Sequence, residues 1–248
     1  MQKTIKVSSV SYLNATPFVY GLKHSEVFKF TQLTLDHPVE CARKLMAHEV
    51  DIGLIPVAAI KQIPRAKIIA DYCIAANGEV ASVLLISPVS LDQIQSVVMD
   101  HESRTSVLLA KVLAKLYWKI NPEWKDEKNV DINNLPQHTA CVIIGDRAIA
   151  LRDKYDFQFD LADEWKKFTG LPFVFACWVA NSEIDPVYLN LFNTALKFGL
   201  DHREEVLKSL PKSNYDLKKY LNQNIQYKFD DAKREGMNKF LMFANAYK

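Results

Sequence analysis

Val80-Ala81-Ser82-Val83-Leu84-Leu85-Ile86-Ser87-Pro88 is the stretch on which the fold turns. Residues 80–86 are apolar apart from Ser82, too short a run for a buried helix, and a Ser-Pro pair closes them. They read as a strand that carries the chain out of one lobe into another. Upstream, residues 5–10, 30–35, 51–55 and 68–75 read as strands, with helices over 17–23 and 38–48. That alternation is a βαβ pattern and implies a largely parallel sheet. Downstream the pattern restarts, with strands at 96–100, 129–132 and 140–144 and a helix over 103–119. In this helix Lys111, Lys115 and Lys119 recur every fourth residue, while Val107, Leu108, Val112, Leu113 and Leu116 fill the opposite side. A helix near 161–169 is followed by a second crossover strand over 173–180. Asp185-Pro186 then supplies an N-cap and a first helical residue. Beyond it the chain is helical in pattern, with Tyr188, Leu191, Phe192, Ala195 and Leu196 as a stripe opposite Asn190, Asn193 and Lys197. These helices are expected to clad the first lobe.

The outcome is an α/β protein of two lobes joined by two crossover strands, residues 1–85 with 180–248 and residues 86–179. Such an arrangement predicts a ligand cleft where strand ends and helix N-termini converge.

With 248 residues, 49% of them hydrophobic, the chain can bury a full core. Its 31 basic and 29 acidic side chains nearly cancel and form no runs of one sign, which argues against a nucleic-acid partner. A small anion needs only a local cluster and stays possible. The opening MQKTIKVSSVSYLNATPF lacks the apolar stretch and cleavage site of a secretory signal, and no window approaches the ~20 apolar residues of a membrane span. The expectation is a soluble, cytoplasmic protein with no membrane partner, as a monomer or a homodimer. Cys41, Cys73, Cys141 and Cys177 have neither C-x-x-C nor metal-type spacing and read as buried free thiols, in keeping with a reducing cytosol.

The motifs of common chemistries fail. The 7 glycines never approach G-x-G-x-x-G or a P-loop, so no nucleotide cradle is expected. His48-Glu49 opens like a zinc-protease helix, but Ile52 stands where the second histidine belongs. Asp36, His37, Glu40 and Cys41 read as a helix start, with Pro38 in its first turn. There is no G-x-S-x-G elbow, and none of the 6 histidines is placed beside a serine or cysteine as a nucleophile pair. The sequence thus offers neither metal-type spacing nor a nucleotide loop.

Four polar clusters remain at junctions between loops and elements: 11–14, 79–82, 102–106 and 145–146. Ser103, Arg104, Thr105 and Ser106, after His101-Glu102, open the longest helix of the second lobe. Free N–H groups, the helix dipole and hydroxyls there suit a carboxylate or phosphate; plain capping by Ser103 with a surface arginine explains the same residues equally well. Asn14 follows the first strand with Ser11 and reads by default as a helix cap. The Ser82 hydroxyl, inside an apolar run, would cost about 1–3 kcal/mol if left unpaired, and facing a cleft avoids that cost. Asp146, after Gly145, reads first as a cap.

Five stretches together resemble the chorismate dehydratases of the futalosine route to menaquinone, and they occur in that family's order. They are Ser11-Tyr12-Leu13-Asn14-Ala15-Thr16-Pro17, Asp51-Ile52-Gly53-Leu54-Ile55-Pro56-Val57, Ser103-Arg104-Thr105-Ser106, Ile144-Gly145-Asp146-Arg147-Ala148 and residues 165–175, WKKFTGLPFVF. The resemblance implies a type II periplasmic-binding-protein-like fold and the conversion of chorismate to 3-[(1-carboxyvinyl)oxy]benzoate and water without a metal or organic cofactor. It also implies that Asn14 and Ser82 face the substrate as catalytic residues, Ser82 being placed by position. Ser11, Ser103, Arg104, Thr105, Ser106, Gly145 and Asp146 are then the expected substrate-binding residues. The proton acceptor is either Asp146 or the substrate's own enolpyruvyl carboxylate. Two other readings compete: a non-catalytic protein that binds a small anion, and the 1,4-dihydroxy-6-naphthoate synthase of the same pathway.

Overall fold

A computed structural model describes residues 4–100, 103–127, 130–152 and 154–247. The chain runs through β1 (Ile5–Val10), α1 (Thr16–Lys23), β2 (Thr31–Asp36), α2 (Pro38–Met46), β3 (Ile52–Pro56), α3 (Val57–Ile60), β4 (Lys67–Ala76) and β5 (Val83–Ser87). It continues with β6 (Ser96–Val98), α4 (Arg104–Leu113), β7 (Glu123–Lys125), β8 (Thr139–Ile144), α5 (Gly145–Leu151), β9 (Phe157–Asp160) and α6 (Leu161–Thr169). The last elements are β10 (Phe173–Ala180), α7 (Pro186–Asp201), α8 (Arg203–Ser209), α9 (Leu217–Lys219), β11 (Gln226–Lys228) and α10 (Asp231–Ala244). They fall into two compact units, Met1–Ala75 with Val174–Asp230 and Ala76–Phe173 with Asp231–Lys248.

The first unit holds a six-stranded sheet in the order β11-β4-β10-β3-β1-β2. β1 pairs in parallel with β2 and β3, as the βαβ pattern requires, whereas β10 runs antiparallel to β3. Every residue of β3 is buried, the mark of a strand covered on both faces. Helices α1 and α7 pack closely because Gly21 and Gly199 face each other's helix: a Cβ on Gly21 would overlap the Ala195 carbonyl, and one on Gly199 the Pro17 carbonyl. Between sheet and helices, the Phe18 ring meets Trp178 at 5.9 Å and Tyr227 at 5.3 Å, edge to face.

The second unit holds a five-stranded sheet in the order β7-β6-β8-β5-β9. β5 lies antiparallel to β8 and β9, and β6 is parallel to β7 and β8. Leu84, Ile86, Val98, Cys141 and Ile143 project from these strands into one core with Ala148 and Leu151 of α5. α4 buries Leu109, Ala110, Val112 and Leu113, continues as a π turn over Ala114–Trp118 and stops at Lys119, whose φ is 58°. Lys111 is not simply solvated, since its ammonium sits over the Trp124 ring.

Several expectations need correction. The strand read over 80–86 begins only at Val83, because Ala81 is left-handed (φ 66°) and the Val80 and Ala81 N–H groups bond a side chain instead of a neighbouring strand. The strand expected over 129–132 is absent where described: Asp131 and Ile132 are in a turn, with the Ile132 carbonyl taken by the Tyr155 hydroxyl, and Asn129 lies outside the described residues. The last helix, expected to clad the first unit, belongs to the second. Phe240 of α10 packs on Phe173 at 4.9 Å and Trp165 at 6.1 Å, and Gly236 lets the helix approach the Pro172 carbonyl, all within the second unit. The chain therefore passes between units near residues 76, 174 and 231, one passage more than the sequence suggested. Among the described residues no helix is long and apolar enough to cross a membrane.

Candidate active site

In the first unit, β1 delivers the chain to Ser11, whose N–H reaches the Asp36 carbonyl at 3.1 Å and extends the β1–β2 pairing by one bond. A 3-10 turn, Leu13–Ala15, then leads into α1. It is closed by the Ala15 N–H on the Tyr12 carbonyl (3.0 Å) and by the Thr16 hydroxyl on the Leu13 carbonyl (2.7 Å). Asn14 is not a helix cap: Ala15 holds the N-cap position of α1, with no side-chain bond, and Pro17 sits in the first turn. Instead the Asn14 Oδ1 is buried and has no hydrogen-bond partner among the described residues. An amide oxygen in that state costs about 1–3 kcal/mol, which local structure does not recover. Ser11 is exposed and lines a pocket of about 200 Å3 with Tyr12, Thr16, Tyr20, Lys23 and His24.

Behind this loop Asp36 accepts bonds from Ser8 (2.7 Å), Thr34 (2.7 Å) and Lys44 (2.6 Å). Burial pushes the Asp36 carboxyl up, but the Lys44 ammonium and the Thr34 and Ser8 hydroxyls outweigh it and hold the group below its ordinary value. Asp36 is thus a charged buttress at the end of β2.

In the second unit most of the expected residues gather at one sheet edge. Val83 pairs with Ile144 and Leu84 with Asp160, so β5 starts where β8 and β9 end, and β6, whose last residue Val98 pairs with Cys141, runs parallel to β8 toward that same end. The Ser82 carbonyl accepts the Gly145 N–H at 2.8 Å, which joins two of the expected site residues directly. Ser82 is buried, and Gly145 is left-handed (φ 67°), as a sharp strand-to-helix turn requires. Asp146 is exposed and is the second residue of α5; Ile144 holds the N-cap position, so the cap reading of Asp146 fails.

Asp100, which the sequence did not mark, ties this turn to α4. Its carboxylate accepts the Ile144 N–H (3.2 Å) and pairs with Arg147 (2.9 Å), while its carbonyl takes the Ser103 N–H (3.5 Å). Ser103 is the N-cap of α4: its Oγ accepts the Ser106 N–H at 3.1 Å and donates to the Ser106 hydroxyl at 2.8 Å. Ser103, Thr105 and Ser106 are buried, and Arg104 is exposed. His101 and Glu102 lie outside the described residues.

The residue that sequence reading missed altogether is Asp160. Its Oδ1 caps α6 at the Ala162 (3.1 Å) and Asp163 (3.2 Å) N–H groups, and its Oδ2 accepts those of Val80 (2.9 Å) and Ala81 (2.7 Å). Burial pushes its carboxyl up to about 6, against the pull of the Ala81, Val80 and Asp163 N–H groups. The left-handed Ala81 it holds carries a strain of roughly 1–2 kcal/mol. Glu79, beside it, pairs with Arg152. Only the capping half had a sequence signal, an aspartate just before a helix with acidic residues in its first turn. Among the described residues no group of three or more His, Cys, Asp or Glu side chains is placed to hold a metal ion.

Known structures place this architecture. Protein AF1704 from Archaeoglobus fulgidus superimposes with a TM-score of 0.73 at 13% identity, covering 98% of this chain and 97% of that one. The Candida albicans CA3427 gene product, described as having the generic periplasmic binding protein fold, gives 0.62 at 12% identity, over 98% of this chain and 90% of its own. The α/β fold is of the periplasmic-binding-protein-like class. Within that class, a model of the menaquinone biosynthesis family matches residues 5–246, and the chain belongs to that family. A chorismate dehydratase of Thermus thermophilus is 28% identical over 92% of this chain and 91% of its own. One from Campylobacter jejuni is 24% identical over 96% of both.

Proposed function

We propose that this protein is a chorismate dehydratase, a carbon–oxygen hydro-lyase that removes water from chorismate to give 3-[(1-carboxyvinyl)oxy]benzoate in menaquinone biosynthesis. The observation that carries the reading is the similarity to two proteins of that name over 92% and 96% of the chain. On the side of geometry, the amide oxygen of Asn14 in the opening motif is buried with no partner among the described residues, so it keeps an acceptor that its own surroundings do not use. The four cysteines are buried and none is in a disulfide, which supports a reducing, cytosolic setting.

Chorismate offers a ring carboxylate, an enolpyruvyl carboxylate, a hydrogen on C3 and a hydroxyl on C4. Losing the hydrogen and the hydroxyl makes the ring aromatic, so the step is downhill and only its barrier needs lowering. In our reading the α4 N-terminus with Arg104 receives one carboxylate. Donors there also stabilise the charge that spreads into the ring carboxylate as the C3 proton leaves. The resemblance implies that Asn14 and Ser82 face the substrate, and in our reading the Ser82 hydroxyl donates to the oxygen that departs. Asp160 is unsuited to take the C3 proton, being buried and committed to four N–H donors. Asp146 is exposed, and the substrate's own enolpyruvyl carboxylate, held against C3, is the acceptor we favour; the proton it takes passes to the departing hydroxide, which leaves as water and restores the carboxylate.

The test is to present chorismate and cyclic futalosine to the protein side by side and identify the products. Conversion of chorismate alone is expected. Turnover of cyclic futalosine would point to the naphthoate synthase, and tight binding of chorismate with no product to an anion-binding protein.

A further inference from the structure

We infer that Asp160 is a positioning residue for Ser82, holding the backbone of residues 80–81 in the left-handed turn that sets how the Ser82 hydroxyl meets the substrate. The inference rests on the dehydratase reading and deepens it. A helix cap needs one oxygen, and Oδ1 supplies it to α6. The second oxygen is surplus to capping, yet it takes both the Val80 and the Ala81 N–H groups at 2.9 and 2.7 Å. Ala81 has no glycine-like freedom, so its φ of 66° is imposed by what grips it. Immediately after it, Ser82 is fixed by its own carbonyl on the Gly145 N–H at 2.8 Å. The serine is therefore clamped from both sides, by Asp160 before it and by the β8–α5 turn after it.

The charge state fits this role. A carboxyl raised to about 6 by burial contributes stability that is fully present below its ordinary value of 3.8 and lost as pH rises through 6. At neutral pH its ionised form weighs against folding, which is expected of a group kept for function. Around it stand Glu79 with Arg152, and Asp163 and Glu164 with Lys167. As pH falls through about 6 the carboxylate protonates, and one oxygen can no longer accept two N–H groups.

The experiment compares wild type with Asp160→Ser, which keeps a capping oxygen for α6 and deletes the one aimed at the loop. Asp160→Asn is the second variant, because its amide must turn an NH2 toward one pair of N–H groups or the other. At saturating chorismate Asp160→Ser is expected to lose about a hundredfold in kcat with KM little changed, since a small misplacement of a reacting group costs on that order. The acid limb of wild-type kcat near pH 6 is expected to vanish from both variants. Should Asp160→Ser not fold, Asp160→Asn and the wild-type pH profile carry the same test. A variant with a lowered thermal midpoint but unchanged kcat, or a wild-type profile flat through pH 6, overturns the inference. If wild type does not turn over chorismate at all, the dehydratase reading itself fails and takes the inference with it.

Discussion

Replacing Asn14 by alanine separates a structural from a chemical role, because the two predict opposite effects on stability. A capping asparagine would take about 0.5–2 kcal/mol of stability with it. Here the N-cap of α1 is Ala15, and the bonds that close the turn come from the Ala15 N–H and the Thr16 hydroxyl, so Asn14→Ala removes none of them. What it does remove is a buried amide oxygen without a partner, relieving about 1–3 kcal/mol of desolvation. At roughly 2–4 °C per kcal/mol for a chain of this size, the thermal midpoint should hold or rise by a few degrees. Turnover should move the other way. Loss of a positioning contact to the substrate is expected to cost on the order of a hundredfold, or about 2.7 kcal/mol of barrier. The assay is the rate at saturating chorismate beside the unfolding midpoint of the same preparations. A midpoint several degrees lower with near-normal turnover would return Asn14 to a structural part and remove it from catalysis.

Arg104→Ala should raise KM by about 10- to 100-fold, the equivalent of a charge-assisted bond of roughly 1.5–3 kcal/mol, with little change in midpoint because the side chain is exposed. Saturation kinetics with melts on the same samples decide it, and an unchanged KM removes Arg104 from the site. Asp36 is held below its ordinary value of 3.8, so its contribution is intact above that value and lost as pH falls through the lower folded value. Lys44→Met should therefore be less stable than wild type at neutral pH, with the gap closing in acid. Denaturant unfolding across a pH series reads this out, and a gap independent of pH contradicts it.

Much of the fold was legible because its signals are local. β1, α6 and β10 occupy the residues read for them, and Asp185-Pro186 starts α7 with the aspartate side chain on the Val187 N–H, as read. What was not legible depends on distant partners. Val80 and Ala81 look like strand residues until the carboxylate of Asp160, eighty positions on, takes their N–H groups. β9 and β11 are too short for any period to announce them, and each forms by adding to the edge of a sheet. The stripe of α10 says only that some apolar face must cover it; its docking on Trp165 and Phe173 is a property of the folded second unit. The candidate site divides in the same way. Asn14, Ser82 and the 103–106 cluster could be nominated from motifs and polarity, whereas Asp100 and Asp160 act through backbone groups remote in sequence.

This chain itself is expected to eliminate water from chorismate. The most direct measurement follows the appearance of the aromatic product from chorismate, using purified protein stripped of metal by exhaustive chelation. The expected result is 3-[(1-carboxyvinyl)oxy]benzoate formed mole for mole from chorismate, over many turnovers per protein and at an undiminished rate after chelation. Chorismate recovered intact from a saturated complex, or activity that returns only with added metal, would contradict it.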